Sequence, residues 1–169
     1  AITPTDAANM LKIDVVACFY RQERYEKFFW RGIEQNREHI GRVIVVNDED
    51  VPNPLTIPVE YLSHPHHGPG SHGVAQSFNE GLRAATSDYV FLMSFDQILP
   101  LDTMGMLLRL INPLHPELIV GAIHTIAADT TFDELENPRI VRKDGGMNDA
   151  AILMNLNRSW FFAHNGHLL

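Results

Sequence analysis

Apolar positions in this chain fall into short unbroken runs, separated by stretches in which they recur every three or four residues. Ile13 to Phe19 is the first run, Arg42 to Val46 the second and Tyr89 to Met93 the third. Continuous, partly β-branched runs of this length suit strands of a parallel sheet, buried on both faces. Between the first two, Glu23 to Glu38 places Tyr25, Phe28, Phe29 and Ile33 on one helical face. Val74 to Ala85 does the same with Val74, Phe78, Leu82 and Ala85. A third helix is expected from Leu101 to Ile111. Pro100 would sit in its first turn, where an N–H is not needed, and Asn112-Pro113 would close it.

The remaining chain is less periodic. Pro52, Pro54 and Pro58 exclude regular helix after the second strand, and Ile57 to Leu62 reads as a short strand. His64 to Gly73 is rich in Pro, Gly and His and reads as a loop. Leu118 to Ile126 is expected to be one further strand and Ala150 to Leu156 a last one. Ala127 to Met147 carries no clean period and reads as a long active-site loop or a partly ordered segment. Trp160-Phe161-Phe162 reads as a short aromatic helix or turn. Strands alternating with helices predict an α/β fold, a mainly parallel central sheet with helices on both faces.

Composition narrows the function classes. With 169 residues, 45% of them hydrophobic, the chain can bury one sizeable core, so residues 1–169 are expected to form a single domain. No run approaches the ~18 apolar residues of a membrane span, and Ala1 to Lys12 lacks the pattern of a secretory signal. Cys18 stands alone, which excludes a disulfide within the chain, fits a cytoplasmic setting and suits a small buried hydrophobe. A net charge of -8 argues against a nucleic-acid partner, which would require a basic face. The chain ends on Gly166-His167-Leu168-Leu169 without a recognisable closing element, so the domain reads as C-terminally short. An exposed Trp160 to Phe162 would then suit a homo-oligomer contact, the alternative being ordinary core.

The chemistry gathers where apolar runs stop. Val43-Ile-Val-Val ends in Asn47-Asp48-Glu49-Asp50, and Tyr89-Val-Phe-Leu-Met93 ends in Ser94-Phe95-Asp96-Gln97. Open α/β sheets bind ligands at the C-terminal ends of their strands, so these groups make a candidate site. A fixed Asp48 or Asn47 can pair with the N–H and C=O edge of a nucleotide base; a strand-to-loop cap is the alternative. Tyr20, Arg21 and Glu23 follow the first strand, where an aromatic can stack on a base and Arg21 can approach a phosphate. That segment can equally just cap the following helix. His64, His66, His67 and His72 lack the ligand spacing of a zinc site. Gly68, Gly70 and Gly73 would instead let backbone approach a nucleotide.

The order of these motifs resembles the inverting family-two glycosyltransferases, from Ile13 to about Ile126. That family ends its second strand in Asp-Asp-Gly-Ser-x-Asp, where this chain has Asn47-Asp48-Glu49-Asp50. Its next helix carries Ala-Arg-Asn-x-Gly, matched by Ser77-Phe78-Asn79-Glu80-Gly81, and its Asp-x-Asp motif is matched by Ser94-Phe95-Asp96. The resemblance implies a GT-A-like, Rossmann-type sandwich that binds a nucleotide sugar (UDP-, GDP- or TDP-linked) and transfers the sugar to an unknown acceptor. It implies Mn²⁺ or Mg²⁺ at the diphosphate, with Asp96 as charged ligand and a downstream histidine such as His164 completing the shell. Ser94 replaces the family's first acid and brings no charge. Tyr20, Arg21, Glu23, Asn47, Asp48, Asn79, Ser94 and Phe95 would then line the nucleotide site, and residues 127–169 the acceptor side. The family's catalytic base lies in a downstream Glu-Asp motif that has no match here, so Asp149 and Asp144, beside Gly145-Gly146, are the substitutes. Two alternatives stay open: a domain that binds nucleotide sugar without turnover, and another α/β nucleotide-binding enzyme such as a nucleotidyltransferase. A Lys- and Gly-rich phosphate loop after the first strand would favour the latter, and Cys18-Phe19-Tyr20-Arg21 is not one.

Overall fold

The computed structural model describes residues 11–19, 26–47, 59–63, 73–94, 97–114, 118–122, 124–126, 131–134, 140–143 and 150–155. Eight strands fall within them: β1 (Ile13–Phe19), β2 (Ile40–Asn47), β3 (Val59–Ser63), β4 (Tyr89–Ser94), β5 (Leu118–Ala122), β6 (His124–Ile126), β7 (Ile140–Lys143) and β8 (Ala150–Asn155). Six of them form the frame, a sheet of order β3-β2-β1-β4-β8-β5. β1 pairs in parallel with both β2 and β4, and β2 with β3. β8 runs antiparallel between β4 and β5, so it alone is reversed and the sheet is mainly parallel.

Alternation along β1 divides the core. Ile13, Val15 and Ala17 face helices α1 (Glu26–Asn36) and α3 (Thr103–Leu114), packing with Phe29, Trp30, Ile33, Met104, Leu107, Leu108 and Ile111. Val16 and Cys18 face the other side, where α2 (Gly73–Ala84) supplies Phe78 and Leu82. Val15 and Val16 are both fully buried, which explains a run apolar at almost every position rather than every second one. Each large apolar side chain so buried contributes roughly 1.5–3 kcal/mol. Gly81 lets α2 settle onto the sheet, because a Cβ there would overlap the Val16 side chain.

Several expectations need correction. The helix expected to reach Glu38 ends at Asn36, and Arg37–His39 forms a short 3-10 turn leading into β2. Asn36 turns its side chain back on Gly32 and across to Pro100 and Met104, which fixes the stop. Pro100 lies ahead of α3, and its carbonyl accepts from the Thr103 hydroxyl at 2.8 Å. The same helix runs on to Leu114, so Asn112-Pro113 falls within its last turn rather than beyond it. The single strand expected over Leu118 to Ile126 is two strands in different sheets. β5 joins the main sheet, whereas β6 pairs antiparallel with β7. The stretch from Ala127 to Met147 therefore holds a strand, and it also holds a 3-10 turn at Phe132–Glu134. There the Glu134 carboxylate accepts from the Thr131 N–H at 2.8 Å and from its hydroxyl at 3.0 Å. β7 is four residues long, too short to show a period. Trp160 to Phe162 lie outside the described residues.

Candidate functional site

The parallel register brings four strand ends to one edge. Asn47 of β2 stands opposite Phe19 of β1 and Ser63 of β3, and Ser94 of β4 stands opposite Cys18 of β1. The two motifs that sequence places after the second and third apolar runs therefore leave the sheet on either side of β1. Asn47 and Ser94 are its last strand residues there. Asp48 follows the first directly, and Asp96 follows the second by two positions. This edge is the location expected for ligands in open α/β sheets.

α2 covers the neighbouring face. Asn79 is 4% exposed on this helix, two positions before Gly81. The Asn-x-Gly pair thus combines a buried amide with the close helix-to-sheet approach. Of the other candidates, Tyr20, Arg21, Glu23, Asp48, Phe95, Asp96, Asp144, Asp149 and His164 lie outside the described residues. Asn47 and Ser94 are described in their backbone. Of the loop expected over His64 to Gly73, residues 64–72 lie outside as well, and Gly73 is the first residue of α2. Among the described residues, no group of three or more His, Cys, Asp or Glu side chains is brought together.

Cys18 points into the α2 side of the core, close to this edge, and burial pushes its thiol up to about 12. It stays protonated at neutral pH and acts as the small hydrophobe its place in an apolar run suggests.

At the opposite edge of the sheet lies a feature that sequence reading missed. Asp14 is fully buried, although carboxylates are almost never buried without partners. One oxygen accepts from the backbone N–H groups of Thr86 and Ser87 at 2.8 and 3.0 Å, and the other from the Ser87 hydroxyl at 2.8 Å. Gly41 makes room, since a Cβ there would lie 2.7 Å from the Asp14 carboxylate. An open depression of about 380 Å³ adjoins this clamp, lined in part by Lys12, Arg42 and Asp88. Its cations are already engaged: Lys12 donates to the Glu38 carbonyl, and Arg42 donates to the Ala84 carbonyl and pairs with Glu60. The clamp ties the start of β1 to the α2–β4 connection and so supports the sheet that carries the site. An acid inside an apolar run, followed much later by Thr-Ser, was the available signal.

Comparison with known proteins agrees with this architecture. Residues 14–163 match Glycosyl transferase family 2. No curated protein matches the chain. Staphylococcus aureus TarS 1–349 in complex with UDP is similar in fold, with a TM-score of 0.59 at 16% identity. That similarity covers 92% of this chain and 49% of that one. A mannosyltransferase from Pyrobaculum calidifontis, in complex with GDP-Man and Mn²⁺, gives 0.52 at 16% identity, covering 68% of this chain and 36% of that one. A 2-C-methyl-D-erythritol 4-phosphate cytidylyltransferase from Thermus thermophilus gives 0.50 at 11% identity, covering 92% and 77%. Identities this low carry the fold and not the activity. The chain spans half or less of the length of the two transferase structures.

Proposed function

The chain belongs to Glycosyl transferase family 2, and on that premise we propose that it binds a nucleotide sugar at the C-terminal edge of its sheet and transfers the sugar to an acceptor. The observation that carries this reading is the register: β2 and β4, which precede Asp48 and Asp96 in sequence, end at one edge of the sheet on either side of β1. In this reading Asn47 and Asp48 pair with the base, Tyr20 stacks on it, and Arg21 meets a phosphate. Glu23, Asn79, Ser94 and Phe95 complete the nucleotide site.

The bond between the anomeric carbon and the leaving diphosphate oxygen breaks as the acceptor oxygen bonds to that carbon. Asp149 or Asp144 takes the acceptor's proton as general base. A divalent ion such as Mn²⁺ or Mg²⁺, when bound, neutralises charge developing on the diphosphate. Asp96 suits it as a hard oxygen donor, with His164 as a second ligand. Ser94 supplies a neutral hydroxyl in place of a carboxylate, so the chain alone offers little charge to hold the ion. Phosphate oxygens of the donor are then needed to complete the shell.

Among the described residues no helix is long and apolar enough to cross a membrane. UDP, GDP and TDP sugars are the donors to try, and the acceptor is open. Nucleotidyl transfer is the second reading, since the cytidylyltransferase has a similar fold. The family match and the sequence after β1, which has no Lys- or Gly-rich phosphate loop, favour the first.

Three measurements test the proposal. Thermal shift with each nucleotide sugar, with and without Mn²⁺, should raise the melting temperature for at least one donor, because a ligand held by the native state stabilises it. The same donor should be hydrolysed slowly or transferred; tight binding with no turnover over a broad acceptor panel would support a binding domain instead. Asp48→Ala should weaken nucleotide binding by about 1–3 kcal/mol, the cost of leaving a polar base edge unpaired. Calorimetry showing unchanged affinity would move the base site elsewhere.

A further inference from the structure

The segment after Asp96 is held from an unexpected direction. Gln97 to Asp102 links the Asp96 region to α3, yet its buried anchor is helix α1, more than sixty residues earlier in the chain. Gly32 of α1 lies against the backbone of Leu99: a Cβ at Gly32 would be 2.7 Å from the Leu99 nitrogen and 3.2 Å from its carbonyl oxygen. Leu99 itself is 3% exposed. One turn further along α1, the Asn36 amide donates to the Pro100 carbonyl at 2.9 Å and to the Gly32 carbonyl at 2.9 Å. Its oxygen accepts the Met104 N–H at 3.0 Å. Asn36 is 1% exposed, so these bonds form out of competition with water.

On the upstream side, Ser94 is fixed by its pairing with β1. Asp96 therefore stands two residues beyond one anchor and three before another. A short span between two fixed points has fewer conformations than a long one. We infer that Gly32 and Asn36 are positioning residues for Asp96, setting the downstream anchor from which the proposed ion-binding carboxylate is presented. The inference rests on the functional reading given above.

The test uses the full chain with UDP and GDP as probes, each titrated with and without Mn²⁺. Asn36→Asp keeps an oxygen for the Met104 N–H but sets a carboxylate against the Pro100 and Gly32 carbonyls. Gly32→Ala leaves every hydrogen-bonding group in place and suits a helix, yet pushes on Leu99. Both variants should keep metal-free nucleotide affinity and lose about tenfold of the Mn²⁺-dependent gain. Amide exchange over residues 97–104 should quicken by about tenfold, while that of β2 stays unchanged. Asp96→Asn is the control. If it removes the metal-dependent gain while the two α1 variants retain it, the positioning role is overturned and the functional reading stands. If the unaltered chain shows no Mn²⁺-dependent gain, that reading fails and the positioning role falls with it. Should Asn36→Asp not fold, Gly32→Ala decides alone.

Discussion

Asp96→Asn should abolish the Mn²⁺-dependent part of nucleotide affinity and lower turnover by about 100- to 1000-fold. The substitution removes one negative charge and almost no volume, so its effect isolates charge at the ion. Metal-free binding of the nucleotide should change little, because in the proposed site the base is met by Tyr20, Asn47 and Asp48. The contrast should be sharp, since Ser94 leaves the motif with a single acid. Calorimetry with and without Mn²⁺, alongside donor hydrolysis, reads both effects. Metal dependence that survives the substitution would remove the strongest residue from the functional proposal.

Asp14→Ala should have the largest effect on stability. The native carboxylate accepts from two backbone N–H groups and one hydroxyl, and bonds to a charged group contribute roughly 1.5–3 kcal/mol each. Water entering through the adjacent depression would recover part of the loss, which leaves a net cost of about 3–5 kcal/mol. Domains are commonly stable by only about 5–15 kcal/mol, so the variant should be close to unfolding. Asp14→Asn retains one acceptor oxygen and should fall between the two. Urea melts of the three proteins measure this order. A loss below about 1 kcal/mol for Asp14→Ala would show that the three donors find other partners at little cost.

Much of this architecture was legible because its strands are buried on both faces. The runs at Ile13 to Phe19, Val43 to Val46 and Tyr89 to Met93 announce themselves by composition, and parallel pairing follows from the helices between them. Direction and partner were not legible where helices no longer intervene. Ala150 to Leu156 reads as a strand, but nothing in these mostly apolar residues states that β8 lies reversed between β4 and β5. Likewise Leu118 to Ile126 looks continuous, although its last three residues serve another sheet. At the site, sequence order pointed to two motifs at one sheet edge, and the register ends the strands that precede them at one edge, flanking β1. The supporting residues stayed hidden. Asp14 and Asn36 are polar positions within or beside apolar patterns, and their partners at residues 86–87 and 100–104 are distant in sequence. Only folding brings them into contact.

The position of β8 has a consequence for how the chain comes off the ribosome. Strands β1 to β4 can assemble as soon as residue 94 has emerged, since every pairing among them is already available. β5 emerges next but has no place beside them, because its partner in the sheet lies some thirty residues further on. Until residues 150–155 appear, β4 carries an open edge and β5 is an apolar segment without a neighbour, both of which invite pairing with other chains. The nascent chain must therefore wait, exposed, for its last described strand, and that strand completes the sheet by bonding on both sides at once.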